Sequence, residues 1–197
     1  MPLIVSRKQD VLMEYLSNFY SERNHLLDDF LKIISPDSKI SLRVIDWFVT
    51  NYSKKYNIMY EISCKDNSMI DPKDSLKETN KRQFIVYLNY KSQLKSYSKK
   101  QFDPFCRRER ITYEYKPGKE VTTTVGQLNF FKWAMENSVI EYIAKHSVDI
   151  ERDMLHTMRK NSPKGKKLKE RKKRQELSQA ATKRINTHKC TVTLDFT

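Results

Sequence analysis

Apolar residues recur at helical spacing through the first third of the chain. From Arg7 to Ile34 they mostly follow one another at intervals of three and four, with charged residues between them. This pattern predicts an amphipathic helix, which Ser35-Pro36-Asp37 would end. Ser41 is placed to cap a second amphipathic helix that ends near Asn57. We allow for a break in the middle of either helix.

The period changes in the middle of the chain. Residues 58–63 alternate between apolar and polar and predict a strand, whereas residues 65–82 lack periodicity and predict a surface loop. Residues 84–90 are apolar on both faces, which is typical of a central strand covered on two sides. Residues 108–125 predict a β-hairpin that turns at Lys116-Pro117-Gly118-Lys119.

The clearest helix signal begins at Thr124. Thr124 and Gln127 have the spacing of a capping box, in which the Thr side chain bonds forward and the Gln side chain reaches back. Apolar residues then recur at intervals of three and four as far as Met158. We therefore predict one long amphipathic helix to about Arg159, bent near Ser147.

A boundary follows this helix. Asn161-Ser162-Pro163 separates it from a polar segment rich in helix-forming residues. Residues 190–197 then alternate cleanly, which predicts a terminal strand that pairs with its own sheet or with another chain. We expect an α+β fold with N-terminal helices, a small, largely antiparallel sheet, one long amphipathic helix and a basic C-terminal extension ending in a strand. The domains would be residues 1–158 and 159–197.

Composition places the chain among intracellular proteins. Its 197 residues can form one domain with a sizeable core, since aromatic side chains make up 11%. Cys64, Cys106 and Cys190 are odd in number and scattered, which indicates a reducing compartment and disfavours a structural zinc site. The N-terminal apolar run is too short for a signal peptide, and no segment approaches the ~18 apolar residues of a membrane span. We expect a soluble protein that is not secreted and has no membrane partner.

The net charge of +14 is the main functional clue. Residues 159–174 hold ten lysines and arginines against one glutamate, a net charge of +9, which leaves +5 for the other 181 residues. Such a run favours salt-sensitive, sequence-independent binding of a polyanion. A solvated helix or tail, or a nuclear-import signal, would have the same composition.

No catalytic pattern stands out. The histidines at positions 25, 146, 156 and 188 do not have metal-ligand spacing, and no nucleotide-binding glycine loop or nucleophile elbow is present. Asp103 precedes Pro104, where a carboxylate is a better turn partner than metal ligand. We predict no enzymatic activity, no cofactor and no metal; an enzyme acting on nucleic acid is a third, weaker alternative.

Residues 90–111 combine seven basic side chains with four aromatic rings and only two acids. Rings beside cations suit stacking on bases together with phosphate contact. Alternatively, Phe102 and Phe105 anchor a loop to the core. We favour the mixed arrangement, with rings inward and cations outward. An alternating strand would split Arg107, Arg108 and Arg110 between two faces.

Three stretches, residues 45–55, 84–111 and 123–143, resemble a family of small basic proteins of nucleocytoplasmic large DNA viruses, the giant viruses. The basic segment followed by an alternating strand is similar to that family's C-terminal end. The resemblance covers about residues 40–197. It implies a viral setting in the host-cell interior (viral factory, cytoplasm or nucleus) or in the virion, and no particular activity.

Two functions from different classes follow. The first is a non-enzymatic nucleic-acid-binding protein that contacts the phosphate backbone of DNA or RNA without sequence preference. Its expected contacts are Lys164, Lys166, Lys167, Lys169, Arg171, Lys172, Lys173, Arg174, Lys91, Lys95, Lys99, Lys100, Arg107 and Arg108. The second is a structural or adaptor protein of the virion or a viral complex, which docks onto a viral protein partner through the basic tail and the terminal strand. The docking residues would be Val192, Leu194 and Phe196.

Overall fold

The computed structural model describes residues 8–70, 80–107 and 109–161, and it has the predicted α+β composition. The N-terminal helical region consists of α1 (Lys8–Glu22) and α2 (Asn24–Ile34), which separate at Arg23. The stop at Ser35 is confirmed, since this residue has an extended backbone.

The second helical region is short and contains a π-helical turn. Helix α3 (Leu42–Trp47) begins where Ser41 accepts a hydrogen bond from the amide of Val44, as predicted. The π-helical turn Phe48–Tyr52 follows, and α4 (Ser53–Lys55) ends the region. Side-chain hydroxyls bond back four residues here: Thr50 donates to the carbonyl of Asp46, and Ser53 donates to that of Val49. Such bonds are typical of helices that bend.

Strand β1 (Met59–Ser63) pairs antiparallel with β2 (Lys81–Ile85), and Tyr60 lies opposite Phe84. Part of the predicted surface loop is therefore strand, while residues 71–79 lie outside the described residues.

The predicted central strand 84–90 is wrong beyond Ile85, because helix α5 (Val86–Tyr97) begins at the next residue. Its inward side chains, Val86, Tyr90, Leu94 and Tyr97, recur at helical intervals that continue past the predicted strand. Leu88, which the strand would have placed beside Val86 and Tyr90, is 61% exposed.

The predicted hairpin is confirmed. Strands β3 (Ile111–Lys116) and β4 (Lys119–Thr123) pair antiparallel in a second sheet, separate from the first. Pro117 and Gly118 form the turn, and Gly118 has a φ of 71°, which glycine adopts without a steric penalty.

The predicted long helix is two helices. Helix α6 (Val125–Glu136) ends at Asn137, Ser138 has a φ of 52°, and α7 (Val139–Asn161) follows with a kink at His146. The bend near Ser147 is thus confirmed, whereas the break at Ser138 had no proline or glycine to signal it.

Helix α6 lies at the centre of the core. All ten residues from Val125 to Ala134 are buried, so this helix has no solvent face. Phe131 packs on Phe30 of α2, with ring centroids 5.2 Å apart, and Tyr20 of α1 donates a hydrogen bond of 2.9 Å to the carbonyl of Leu128.

The C-terminal predictions lie outside the described residues. Helix α7 continues to Asn161, past the predicted boundary at residue 158. The division into residues 1–158 and 159–197 stays a prediction, as do the basic extension after residue 161 and the terminal strand.

Candidate nucleic-acid interface

Four lysines of the central stretch form an exposed basic row along α5 and the turn after it. Lys91 and Lys95 lie one helical turn apart on α5, and Lys99 and Lys100 follow in the turn. Ser98, with a φ of 62°, ends the helix while its amide bonds to the carbonyl of Leu94. Within the described residues none of the four lysines forms an ion pair, so all four ammonium groups are available to an anion.

Aromatic rings lie beneath this row and face the core. Phe102 is 1% exposed, and its ring centroid lies 5.2 Å from that of Phe130, 5.4 Å from that of Trp133 and 6.0 Å from that of Tyr90. Phe105 is half-buried. The predicted arrangement, rings inward and cations outward, is confirmed for the described part of residues 90–111.

The loop that carries the end of the row, Lys99 and Lys100, is held on the first turn of α6 by hydrogen bonds to backbone groups. The amide of Asp103 donates to the carbonyl of Gly126 (3.2 Å), Gln127 donates to the carbonyl of Pro104 (2.9 Å), and Asn129 donates to that of Gln101 (2.8 Å). A Cβ atom at Gly126 would lie 2.9 Å from the carbonyl oxygen of Lys100. Glycine is therefore required for this close approach.

The capping box at this turn is only half as predicted. Thr124 accepts from the amide of Gln127 at 3.0 Å, as expected. The Gln127 side chain, however, bonds to Pro104 and to the hydroxyl of Thr123 instead of reaching back to the cap. Its tertiary partners are strong competitors for its amide group because both are buried.

Asp103 is the turn partner that the sequence predicts. It accepts from the amide of Phe105 (3.1 Å) and takes two hydrogen bonds from Arg107, at 2.9 and 3.1 Å. The Arg107 guanidinium also lies over the Phe105 ring, 4.4 Å from its centroid, and the hydrogen bonds to Asp103 raise the pKa of Arg107. Arg107 is 62% exposed but already bound to a carboxylate, whereas Arg108 lies outside the described residues.

A cavity of about 250 Å³ opens between this loop and the second helical region. Its walls are formed by the following residues: Asp46, Thr50, Tyr90, Lys99, Phe102, Asp103, Pro104 and Arg107. The sequence did not indicate it, since Asp46 and Asp103 are 57 positions apart. The one available signal was that Asp46 and Thr50 are four residues apart within the second helical region.

Two polar side chains of this cavity lack the kind of partner that Asp103 and Arg107 provide for each other. Neither the Asp46 carboxylate nor the Tyr90 hydroxyl makes a hydrogen bond to any described residue. Burial, with a smaller contribution from Asp103, raises the pKa of Asp46, although Arg107 and Lys99 oppose the shift. Burial, together with the nearby Asp46 and Asp103 carboxylates, raises the pKa of Tyr90 to about 12.

A second aspartate, Asp153 on α7, has the opposite surroundings. Its carboxylate accepts from the Trp47 indole (3.1 Å), the Tyr56 hydroxyl (3.1 Å) and the Lys55 ammonium. Burial raises the pKa of Asp153, but these three hydrogen bonds outweigh it and hold the pKa below its ordinary value. This site ties the second helical region to α7.

The remaining candidate residues fall into two groups. Lys164 to Arg174 and the docking residues Val192, Leu194 and Phe196 lie outside the described residues. His25, His146 and His156 are exposed, and the described residues contain no group of three or more side chains suited to a metal ion. Among the described helices none is long and apolar enough to cross a bilayer.

Comparisons with known proteins agree with the resemblance to a giant-virus family. The chain is 41% identical over 162 residues to "Uncharacterized protein L507" of Acanthamoeba polyphaga mimivirus, a match that covers 80% of this chain. The chain spans 58% of the length of that relative. No solved structure matches this chain. A family model matches residues 4–195, and the chain therefore belongs to the family of unknown function DUF7197.

Proposed function

We propose that the protein binds nucleic acid without turnover, through contacts to the phosphate backbone. The observation that carries the proposal is the basic row, Lys91, Lys95, Lys99 and Lys100, which is exposed and has no ion-pair partner in the described part of the chain. A lysine already bound to a carboxylate would have to exchange partners to bind phosphate, whereas these four displace only counterions.

The placement of the row supports this function. Lys91, Lys95 and Lys99 are spaced by four residues, so the first two lie on one face of α5 and the third continues from its end. The contacts of the loop with Gly126, Gln127 and Asn129 hold the end of the row on the buried helix α6. A binding surface whose backbone is fixed in advance loses less conformational entropy when it binds.

The basic segment 164–174 would add sequence-independent affinity. Its eight lysines and arginines are the residues predicted to contact phosphate, and the described surface would supply a second set of contacts. Because a relative of this chain is a giant-virus protein, the setting we propose is the interior of an infected host cell or the virion.

The test is fluorescence anisotropy of labelled single- and double-stranded DNA and RNA, titrated across salt concentrations. Full-length protein would be compared with three variants of the same length. One has Lys91, Lys95, Lys99 and Lys100 changed to Gln, and one has the basic residues of 164–174 changed to Gln. The control has Lys32, Lys39, Lys116 and Lys119 changed to Gln, four exposed lysines elsewhere, of which Lys32 and Lys116 already form ion pairs with aspartates.

The binding constant falls as salt rises, and each lost contact should make the slope of log binding constant against log salt concentration less steep by about 0.7 on a single strand. The first variant should therefore lose up to about three units of slope, and the control should lose little. The variant of residues 164–174 should lose several units. Absence of binding by the full-length protein near physiological salt would contradict the proposal.

A structural or adaptor role is the second candidate. Helix α7 exposes Val148 (66%), Leu155 (50%) and Met158 (40%), which recur at helical intervals on one face. Exposed apolar residues of this spacing favour contact with a protein. Capture of one viral protein that depends on these residues or on Val192, Leu194 and Phe196, without salt-sensitive strand binding, would favour this role.

A further inference from the structure

The cavity beside the basic row contains hydrogen-bonding groups that the described residues leave unused. Tyr90, which lines the cavity, is only 6% exposed, and its hydroxyl has no hydrogen-bond partner among the described residues. The half-buried Asp46 carboxylate also lines the cavity and has no hydrogen-bond partner among the described residues. Buried polar groups without partners are uncommon and destabilising, so each requires an explanation.

The charges of the cavity limit what can fill it. Its walls contain the half-buried Asp46 carboxylate and the Asp103–Arg107 ion pair, while Lys99 and Arg107 are exposed. A small anion would face the Asp46 carboxylate, which has no ion-pair partner in the described part of the chain, and a cationic ligand would have to pass Lys99 and Arg107. The matching ligand is neutral with N–H donors at the inner end and anionic at the outer end. A nucleotide has this distribution, because its base is neutral and its phosphate is charged.

The shape of the Asp46 carboxylate narrows the choice of base. A carboxylate has two acceptor oxygens and binds best to two adjacent parallel donors. Guanine presents N1–H and the N2 amino group side by side, whereas adenine presents only one amino group on that edge. The volume of about 250 Å³ is below that of cavities for drug-sized ligands, which suits one base.

We propose that this cavity takes one unpaired guanine base of a single-stranded nucleic acid. Asp46 accepts from N1–H and from the N2 amino group, the Tyr90 hydroxyl donates to a base acceptor such as O6, and Lys99 contacts the adjoining phosphate. This inference rests on the proposed nucleic-acid binding and adds a base preference to it. Unstacked bases recognised on their Watson–Crick edges are the usual mode for single strands.

The test uses labelled single strands of thymine with one central guanine, hypoxanthine or adenine. Hypoxanthine keeps N1–H and O6 but lacks the N2 amino group. Full-length protein should bind the guanine strand about tenfold more tightly than the adenine strand, with hypoxanthine between them. The Asp46→Asn variant should lose this preference while it keeps binding to all three strands. Tyr90→Phe should reduce the preference in part.

Matched controls are Asp37→Asn and Tyr15→Phe, which change exposed side chains elsewhere and should leave the preference intact. Thermal unfolding of each variant would show that it is folded. Equal binding of the three strands by full-length protein would overturn the inference while the phosphate-binding function stands. Binding of no strand would instead contradict the proposed function.

In a second experiment, free GMP and AMP compete with the labelled guanine strand for the protein. Weak competition by GMP, lost in Asp46→Asn, is expected, since GMP has the base but only one phosphate. If calorimetry shows Asp46-dependent binding of GMP while the three strands bind equally, the assignment to a strand is overturned in favour of a free nucleotide. A guanine preference that survives in Asp46→Asn would overturn the assignment of the base to this cavity.

Discussion

Asp46 on α3 and Asp153 on α7 differ in the number of hydrogen-bond donors around their carboxylates. Asp153 lies among three donors, from Trp47, Lys55 and Tyr56. Asp46, the chain neighbour of Trp47, has no hydrogen-bond partner within the described residues. Burial opposes ionisation in both, yet the pKa of Asp153 is lowered and that of Asp46 is raised. The donors around a buried acid, more than the burial itself, decide whether it stabilises the fold or remains available for a ligand.

The largest expected effect is that of Asp153→Asn. The substitution removes the charge that Lys55 and two neutral donors share, and its amide group cannot accept at both positions. We expect the free energy of unfolding to fall by about 2 kcal/mol, because hydrogen bonds to a charged group are lost while the half-exposed Lys55 limits the electrostatic part. The measurement is urea denaturation at neutral pH. An effect below about 1 kcal/mol would remove the difference between the two aspartates.

Gly126→Ala should have the next largest effect and act on one site alone. The new Cβ would meet the Lys100 carbonyl oxygen at 2.9 Å, and backbone cannot move as a side chain can. Overpacking should outweigh the helix propensity gained, for a net loss of about 1–2 kcal/mol. Hydrogen exchange should show faster exchange of the Asp103 amide, which bonds to Gly126. Unchanged exchange there would contradict the close contact.

A pair of tyrosines extends the comparison. The Tyr20 hydroxyl donates to the carbonyl of Leu128, whereas the Tyr90 hydroxyl has no partner in the described part of the chain. We expect Tyr20→Phe to lower the free energy of unfolding by about 1 kcal/mol, because a buried acceptor loses its donor. Tyr90→Phe should change it by less than about 0.5 kcal/mol. Equal losses in urea denaturation would mean that the Tyr90 hydroxyl has a partner.

The smallest effect concerns pH. Because the pKa of Asp46 is raised in the folded state, its ionisation opposes folding above that pKa. Asp46→Asn should therefore be slightly more stable than the unsubstituted protein at neutral pH. The difference should shrink as the pH falls through the folded-state pKa toward the ordinary value of about 3.9.

The contribution of Asp153 has the opposite dependence. Its pKa is lowered, so its stabilisation is present above about pH 3.9 and is lost as the pH falls through its folded-state value. Urea denaturation of Asp46→Asn and Asp153→Asn at several pH values would measure both. Parallel curves for the two variants would contradict the assignment.

The sequence predicted those parts of the fold whose determinants are local. The caps at Ser41 and Thr124, the turn at Pro117-Gly118 and the stop at Ser35 each depend on a few adjacent residues, and all are confirmed. The α+β class and the inward rings of residues 90–111 follow from apolar patterning.

The errors occurred where two periods fit the same residues. Val86, Leu88 and Tyr90 suit a strand, whereas Val86, Tyr90, Leu94 and Tyr97 suit a helix, and the longer pattern was the correct one. Short apolar runs leave this choice open until the flanking residues are included.

The candidate site was only half predictable. The basic row was visible as composition, since charged residues at regular spacing need no tertiary partner to be exposed. The cavity was not, because Asp46, Tyr90 and Asp103 meet only when the second helical region, α5 and the loop pack together. Likewise Gln127 lies at the position of the second capping-box residue, but its side chain bonds to Pro104, a partner 23 positions away.

Photo-crosslinking tests the difference between the two aspartate sites most directly. Full-length protein would be irradiated with a single strand that contains one 6-thioguanine, and the crosslinked peptides would be identified by mass spectrometry. We expect an adduct among residues 86–107, close to Tyr90 and Lys99, that is lost in Asp46→Asn and kept in Asp37→Asn. Adducts confined to other parts of the chain would contradict it.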